Sequence, residues 1–141
     1  MSTPASLSRI VEKFQRATTP RKRHELLIAY AKRLPDLPAE EKTPENKVQG
    51  CTSQVFIHSE LIDQKICYRG DSDSQLVKGL VAILVEGLSG LDPVEVLQTT
   101  PDFIHETGLN VSLTPSRSNG FYNIFQMMQQ KALAHIQSQE S

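Results

Sequence analysis

The residues best suited to chemistry in this 141-residue chain lie together in Gly50-Cys51-Thr52-Ser53-Gln54-Val55-Phe56-Ile57. A glycine ahead of the cysteine leaves the backbone beside the thiol uncrowded. Thr52, Ser53 and Gln54 then offer hydrogen bonds to a thiolate or to an extra sulfur carried on it. The thiolate is the nucleophile, and an unperturbed cysteine has a pKa of about 8.5, so the fold or a docked partner has to favour the charged form. No histidine or lysine is obviously paired with Cys51 along the chain. A stand-alone hydrolase needs a base and an oxyanion site, whereas a group carrier can wait for its partner to supply orientation and electrostatics. On these residues alone the odds between a reactive thiol and a buried structural cysteine are even.

Other candidates are weaker. His24, His58, His105 and His135 show no paired metal spacing, and Cys51 with His58 makes only two potential ligands, so no metal site is expected. Cys67 alternates with Ile66 and Tyr68 in a predicted strand, where a lone cysteine is usually a small packing residue. A hairpin turning near Asp63 would set Cys67 in the neighbourhood of Ser59, far from Cys51, so no disulfide is expected.

The elements that must position Cys51 can be read from periodicity. Leu7, Ile10, Val11 and Phe14 follow the spacing of one buried helical stripe. Thr19-Pro20 supplies a cap and a first-turn proline for a second helix, with Leu26, Leu27, Tyr30, Ala31 and Leu34 toward the core and Pro35 as its stop. Leu34 to Gln49 reads as a long surface connection leading to the cysteine. Val55 to Leu61 and Lys65 to Arg69 alternate as an antiparallel hairpin around Ile62-Asp63-Gln64, ended by Gly70.

Asp71-Ser72-Asp73-Ser74 offers caps to a central helix running through Leu76, Val77, Leu80, Val81, Ile83, Leu84 and Leu88. Gly79 within it permits close approach of a neighbouring backbone or of the cysteine loop. Asp92-Pro93-Val94-Glu95 and Thr100-Pro101 start two brief helices, the second ended near Gly108. A last helix follows Ser116 to Gly120, with Phe121, Ile124, Phe125, Met128, Ala132 and Ile136 inward and a frayed end from Gln137. Helices, hairpin, helices is an α+β order, a small antiparallel sheet packed with helices. Two strands make a marginal sheet, so a third is expected, with Leu109 to Leu113 the candidate.

Composition narrows the classes. At 38% hydrophobic and 22% charged, the chain suits a single domain over 1–141, with an ordered core from about 7 to 136. Fifteen Lys plus Arg against sixteen Asp plus Glu give no overall pull toward nucleic acid or an anionic membrane. No apolar run approaches the roughly 20 residues of a membrane span, and Met1 to Ser8 does not read as a signal peptide, so a cytoplasmic setting is expected.

The Gly50-Cys51-x-Ser53-Gln54-Val55-aromatic string resembles the signature of the SufE family. Gly70-Asp71-Ser72-Asp73 with Val77-Lys78-Gly79-Leu80 is similar to that family's second block, and Leu113-Thr114-Pro115-Ser116-Arg117-Ser118-Asn119-Gly120 to its third, in matching order from about Leu7 to Ala134. Phe56 stands where the family usually carries tryptophan, which removes an indole donor and keeps most of the packing. The resemblance implies a fold like SufE, IscU and NifU, and a sulfur acceptor that takes persulfide onto Cys51 from a SufS-type, pyridoxal-phosphate cysteine desulfurase. It further implies stimulation of that enzyme, delivery toward an iron–sulfur scaffold, no cofactor of its own, and a cysteine sheltered at rest. Arg117 and Asp73 carry over as residues that shape the loop around Cys51 or the partner surface. Two other classes stay open: a thiol peroxidase working through a sulfenic acid at Cys51, and a desulfurase-binding regulator with an inert Cys51.

Overall fold

The computed structural model describes residues 3–140. The expected stripe Leu7, Ile10, Val11 and Phe14 is the buried face of α1 (Ala5–Gln15). Thr19 caps α2 (Pro20–Arg33) by accepting the Lys22 N–H at 3.2 Å, with Pro20 in the first turn. Leu27, Tyr30, Ala31 and Leu34 are buried, and Leu26 is at the core's margin. α3 (Gln75–Leu88) is capped by Ser74, whose hydroxyl accepts the Val77 N–H, and it buries nine of its residues against α1, α2 and the sheet. Gly79 lets α2 cross close to it. A Cβ there would collide with the Leu27 carbonyl oxygen and would not meet the cysteine loop.

The sheet is one antiparallel hairpin, β1 (Val55–Ile62) and β2 (Lys65–Ser72), in register from Val55 opposite Ser72 to Ile62 opposite Lys65. Asp63 (φ 52°) and Gln64 (φ 67°) form the two-residue turn, both left-handed, the geometry whose twist matches that of the strands. Gly70 does not end β2. The strand continues because Asp71 and Ser72 still pair with Phe56 and Val55, and Gly70 is the point where α3 crowds the strand, since a Cβ there would lie 2.7 Å from Val81 Cγ1. Cys67 is opposite Glu60, one residue from the expected Ser59, and both cysteines are free.

Leu109 to Leu113 is not a strand. After α4 (Pro93–Gln98), with its Asp92 and Glu95 capping box, and α5 (Phe103–Thr107), the chain turns at Gly108 (φ 78°) into α6 (Leu109–Ser112). A strand would put Leu109, Val111 and Leu113 on one face. Instead Leu109 and Leu113 are buried and Val111 is 77% exposed, an i, i+4 pattern. Among the described residues the sheet has two strands, with one isolated bridge between Lys47 and Phe56.

The last helix, α7 (Pro115–Glu140), starts earlier than expected, because Pro115 is pre-organised for a first turn and Thr114 Oγ1 accepts the Arg117 N–H at 3.3 Å. Ser116 to Gly120 are therefore helical. Helical structure also runs on through the polar end expected to fray, up to Glu140; Ser141 lies outside the described residues. Phe121, Ile124, Phe125, Met128 and Ala132 are buried as expected, while Ile136, near the end of the helix, is only partly so. Tyr68 donates its hydroxyl to the Met128 carbonyl at 2.6 Å, and Gln129 Nε2 donates to the Val96, Leu97 and Thr99 carbonyls at the end of α4, so α7 is fixed to the sheet and to α4.

The connection from Leu34 to Gln49 has more structure than its sequence suggests. It makes 3-10 turns at Ala39–Glu41 and Pro44–Asn46 and buries Leu37, Asn46 and Val48. Buried Asp71 gathers it: the carboxylate accepts the Leu37 and Ser72 N–H groups at 3.2 and 2.8 Å and faces Lys78 at 3.3 Å and Lys42 at 3.7 Å. Burial alone would raise the Asp71 carboxyl, but the two N–H donors and the Lys78 ammonium outweigh it and hold it below the usual carboxylate range.

Candidate functional site

Cys51 stands at the tip of a loop whose two ends are tied together. Val48 N–H donates to the Val55 carbonyl at 2.8 Å and Lys47 bridges Phe56, so residues 49–54 turn back at the mouth of the hairpin. Gly50, at φ +82°, takes the left-handed conformation that this reversal needs. The thiol is half-buried against the apolar core, and its Sγ is 3.8 Å from the Gly120 carbonyl oxygen of α7. A Cβ on Gly120 would lie 3.7 Å from Sγ, in ordinary contact, so the thiol rests directly over this residue.

Side chains hold the loop on both sides. Asn123 Nδ2 donates to the Gly50 carbonyl at 3.0 Å, and the Thr52 and Ser116 hydroxyls are 3.3 Å apart. Ser116, Gly120 and Asn123 recur at four- and three-residue spacing, so one face of α7 forms the whole wall. On the opposite side Asp73 Oδ1 accepts the Gln54 N–H at 3.0 Å while the Asp73 N–H donates to the Gln54 carbonyl at 3.3 Å. Ser74, not Asp73, caps α3.

The structure thus brings Gly50, Cys51, Thr52, Gln54 and Asp73 together. Ser53 lies in the same loop, with no hydrogen bond from its hydroxyl among the described residues. Arg117 is in the first turn of α7, where its backbone N–H is used and its guanidinium has no hydrogen bond or ion pair among the described residues. Thr52 spends its hydroxyl on Ser116 and not on the thiol. Asn123 and the Ser116–Gly120 face were not foreseen as a wall. Their spacing becomes visible only when Pro115 is read as a helix start rather than as part of a loop.

Burial raises the Cys51 pKa, so the thiol is neutral at rest near neutral pH. Among the described residues no cation or imidazole offsets that burial. Beyond Asn123 an open cleft of about 400 Å³, lined by Lys47, Gln49, Gly50, Asn123, Gln126, Met127 and Gln130, runs along α7 beside the loop. No group of three or more His, Cys, Asp or Glu side chains that could hold a metal occurs among the described residues. Nor is any described helix long and apolar enough to cross a membrane.

The profile of the SufE family, an Fe-S metabolism associated domain, matches residues 8–132. The chain belongs to the SufE family. An uncharacterized SufE-like protein of Synechocystis is 61% identical over 131 residues, 93% of this chain and 82% of that protein. The chloroplastic/mitochondrial SufE-like protein 1 of Arabidopsis thaliana is 47% identical over 92% of this chain, which spans only 35% of it. The cysteine desulfuration protein SufE of Plasmodium vivax is 37% identical over 86% of this chain and 50% of its own length. The α+β fold of this SufE chain, seven α-helices and a two-stranded hairpin among the described residues, is similar to the solution structure of a hypothetical protein from Thermus thermophilus. That match has a TM-score of 0.82 at 25% identity, covering 96% of this chain and 99% of the other. The string from Gly50 to Phe56 lies within the matched residues and includes the two-sided loop around Cys51.

Proposed function

We propose that Cys51 accepts persulfide sulfur from a pyridoxal-phosphate cysteine desulfurase of the SufS type, relieves that enzyme of its product, and passes the sulfur on to iron–sulfur assembly. The observation that supports this best is the resting state of the thiol: half-buried over Gly120, kept neutral by burial, yet carried on a loop tip closed by exposed hydrogen bonds. A self-sufficient enzyme would keep a base against its nucleophile. A carrier needs its nucleophile quiet until it meets a donor.

In the transfer, the Cys51 thiol gives up its proton and the thiolate attacks the outer sulfur of the donor's Cys-S-SH. The donor's S–S bond breaks as the new one forms. The donor leaves as a thiolate that takes up a proton, and Cys51 becomes Cys51-S-SH with no net oxidation. Asp73 and Asn123 hold the loop at rest before this step, Gly50 allows its turn, and Thr52, Ser53, Gln54 and Arg117 lie on the surface that a desulfurase would meet. The chain acts as one unit in this role.

Intact mass of the reduced protein after incubation with a cysteine desulfurase and free cysteine tests the reading. The expected result is a gain of one sulfur atom that Cys51→Ser abolishes, together with faster sulfide release in the presence of reductant. No added sulfur beside an active desulfurase of this type would overturn it. Stimulation that survives in Cys51→Ser would favour the regulator reading instead.

A further inference from the structure

The loop carrying Cys51 is tied to α7 one residue before the thiol. Asn123 Nδ2 reaches the Gly50 carbonyl at 3.0 Å, and the space above Gly50 is so completely filled by that carboxamide that a Cβ on Gly50 would lie 2.6 Å from it. Gly120, one turn back on the same face of α7, carries the carbonyl under Sγ. Asn123 and Gly120 therefore fix two adjacent residues, Gly50 and Cys51, to one rigid helix. That helix is anchored by Tyr68 and Gln129, so the mobile party in any opening is the loop.

Asn123 is also reachable from outside. It lines the cleft with Lys47, Gln126, Met127 and Gln130, so a group entering there can take its N–H away from Gly50. We infer that Asn123 is the positioning residue that holds Cys51 in its resting seat, and that losing its bond to Gly50 frees the thiol for transfer. This rests on the carrier reading for its purpose, but the latch itself can be tested without any desulfurase.

The measurement is the iodoacetamide alkylation rate of Cys51 in the full-length, reduced protein, resolved by peptide mass so that Cys67 is counted separately, from pH 7 to pH 10. One net hydrogen bond is lost in Asn123→Ala, so the closed state weakens and alkylation at pH 8 is expected to rise roughly two- to tenfold. The midpoint of its pH profile should move down toward that of an ordinary cysteine as the thiol regains water. Asn123→Asp, which sets a carboxylate against the Gly50 carbonyl, should do at least as much. Gln126→Ala, in the same cleft with no bond to the loop, should change neither quantity. Asn123→Ser, too short to span the gap, replaces Asn123→Ala if that variant folds poorly.

A residue that served stability alone would move Tm and leave the Cys51 profile where it was. That result, or an equal rise in Gln126→Ala, overturns the latch. With a desulfurase at limiting concentration, Asn123→Ala should also load sulfur faster than the native chain. Equal loading despite faster alkylation would overturn the link to transfer. If neither chain takes sulfur while alkylation still rises, the latch stands and the carrier reading fails.

Discussion

Gly120→Ala should make the protein more stable and its thiol slower. Gly120 is well inside α7, where glycine is less favourable than alanine by about 0.8–1 kcal/mol. The new methyl meets Cys51 Sγ at 3.7 Å, which is ordinary contact, so no overpacking cost offsets that gain. For a chain of this length 1 kcal/mol corresponds to roughly 3 °C in Tm. The same methyl covers part of the thiol's remaining exposure, penalises the thiolate further, and should slow alkylation of Cys51 by about twofold. Gly120→Leu has the opposite effect on reactivity, because its side chain takes the volume that Sγ occupies and expels the thiol toward solvent.

The assay pairs thermal unfolding with peptide-resolved alkylation of Cys51 at pH 8, with Cys67→Ser as a control for the second thiol. A fall in Tm for Gly120→Ala would mean that the space above Gly120 is absent. Unchanged alkylation in both variants would mean that Cys51 does not rest over Gly120 in solution. Either result would refute the reasoning.

Two more predictions concern the frame around the loop. Gly79→Ala should lower stability by about 1–3 kcal/mol, seen as a lower Tm with the Cys51 alkylation rate unchanged, because the added methyl meets the α2 backbone at the Leu27 carbonyl, where no flexible side chain can give way. Asp71→Asn should cost about 2 kcal/mol at pH 7, since Lys78 and Lys42 lose their shared carboxylate and one of two N–H groups keeps only a neutral acceptor. The Asp71 pKa is lowered on folding, so its stabilisation is fully present above the unfolded value near 3.9 and is lost as pH falls through the folded value. Denaturant titrations from pH 7 to pH 2 should show Asp71→Asn differing from the native chain most at neutral pH and least in acid. A difference that grows in acid would contradict this.

Much of the frame is legible in the chain. The α1 stripe, the Thr19 and Asp92 caps, the central α3 and the hairpin follow from local spacing and turn chemistry, where neighbours in sequence decide the outcome. The failures are at places where distant residues decide. Leu109 to Leu113 alternates well enough for a strand, but Gly108 and the burial of Leu109 with Leu113 make it helical. Ser116-Arg117-Ser118-Asn119-Gly120 has a loop's composition, and it takes the Thr114 cap and Pro115 at its start, together with packing of the rest of α7, to make it helical. Asp71 is the buried anchor of the connection, a role invisible without the fold that brings Leu37, Lys42 and Lys78 to it. At the site, Cys51 is marked by its own sequence. Asn123 is not, because its significance depends on a residue 73 positions away.

That division explains why the loop can be both closed and usable. Its three ties, Thr52 to Ser116, Gly50 to Asn123 and Gln54 to Asp73, are all at the surface, where each is worth roughly 0.5–1.5 kcal/mol net. Together they amount to about 3 kcal/mol, which leaves the open loop below about 1% of molecules at rest. A partner binding at micromolar affinity releases about 8 kcal/mol, enough to exchange all three ties for its own contacts and still remain bound. The ties are too weak to resist a docked protein and strong enough to keep a half-buried, neutral thiol from small electrophiles. A buried network like that of Asp71 in the same position would hold the thiol shut against the exchange proposed above.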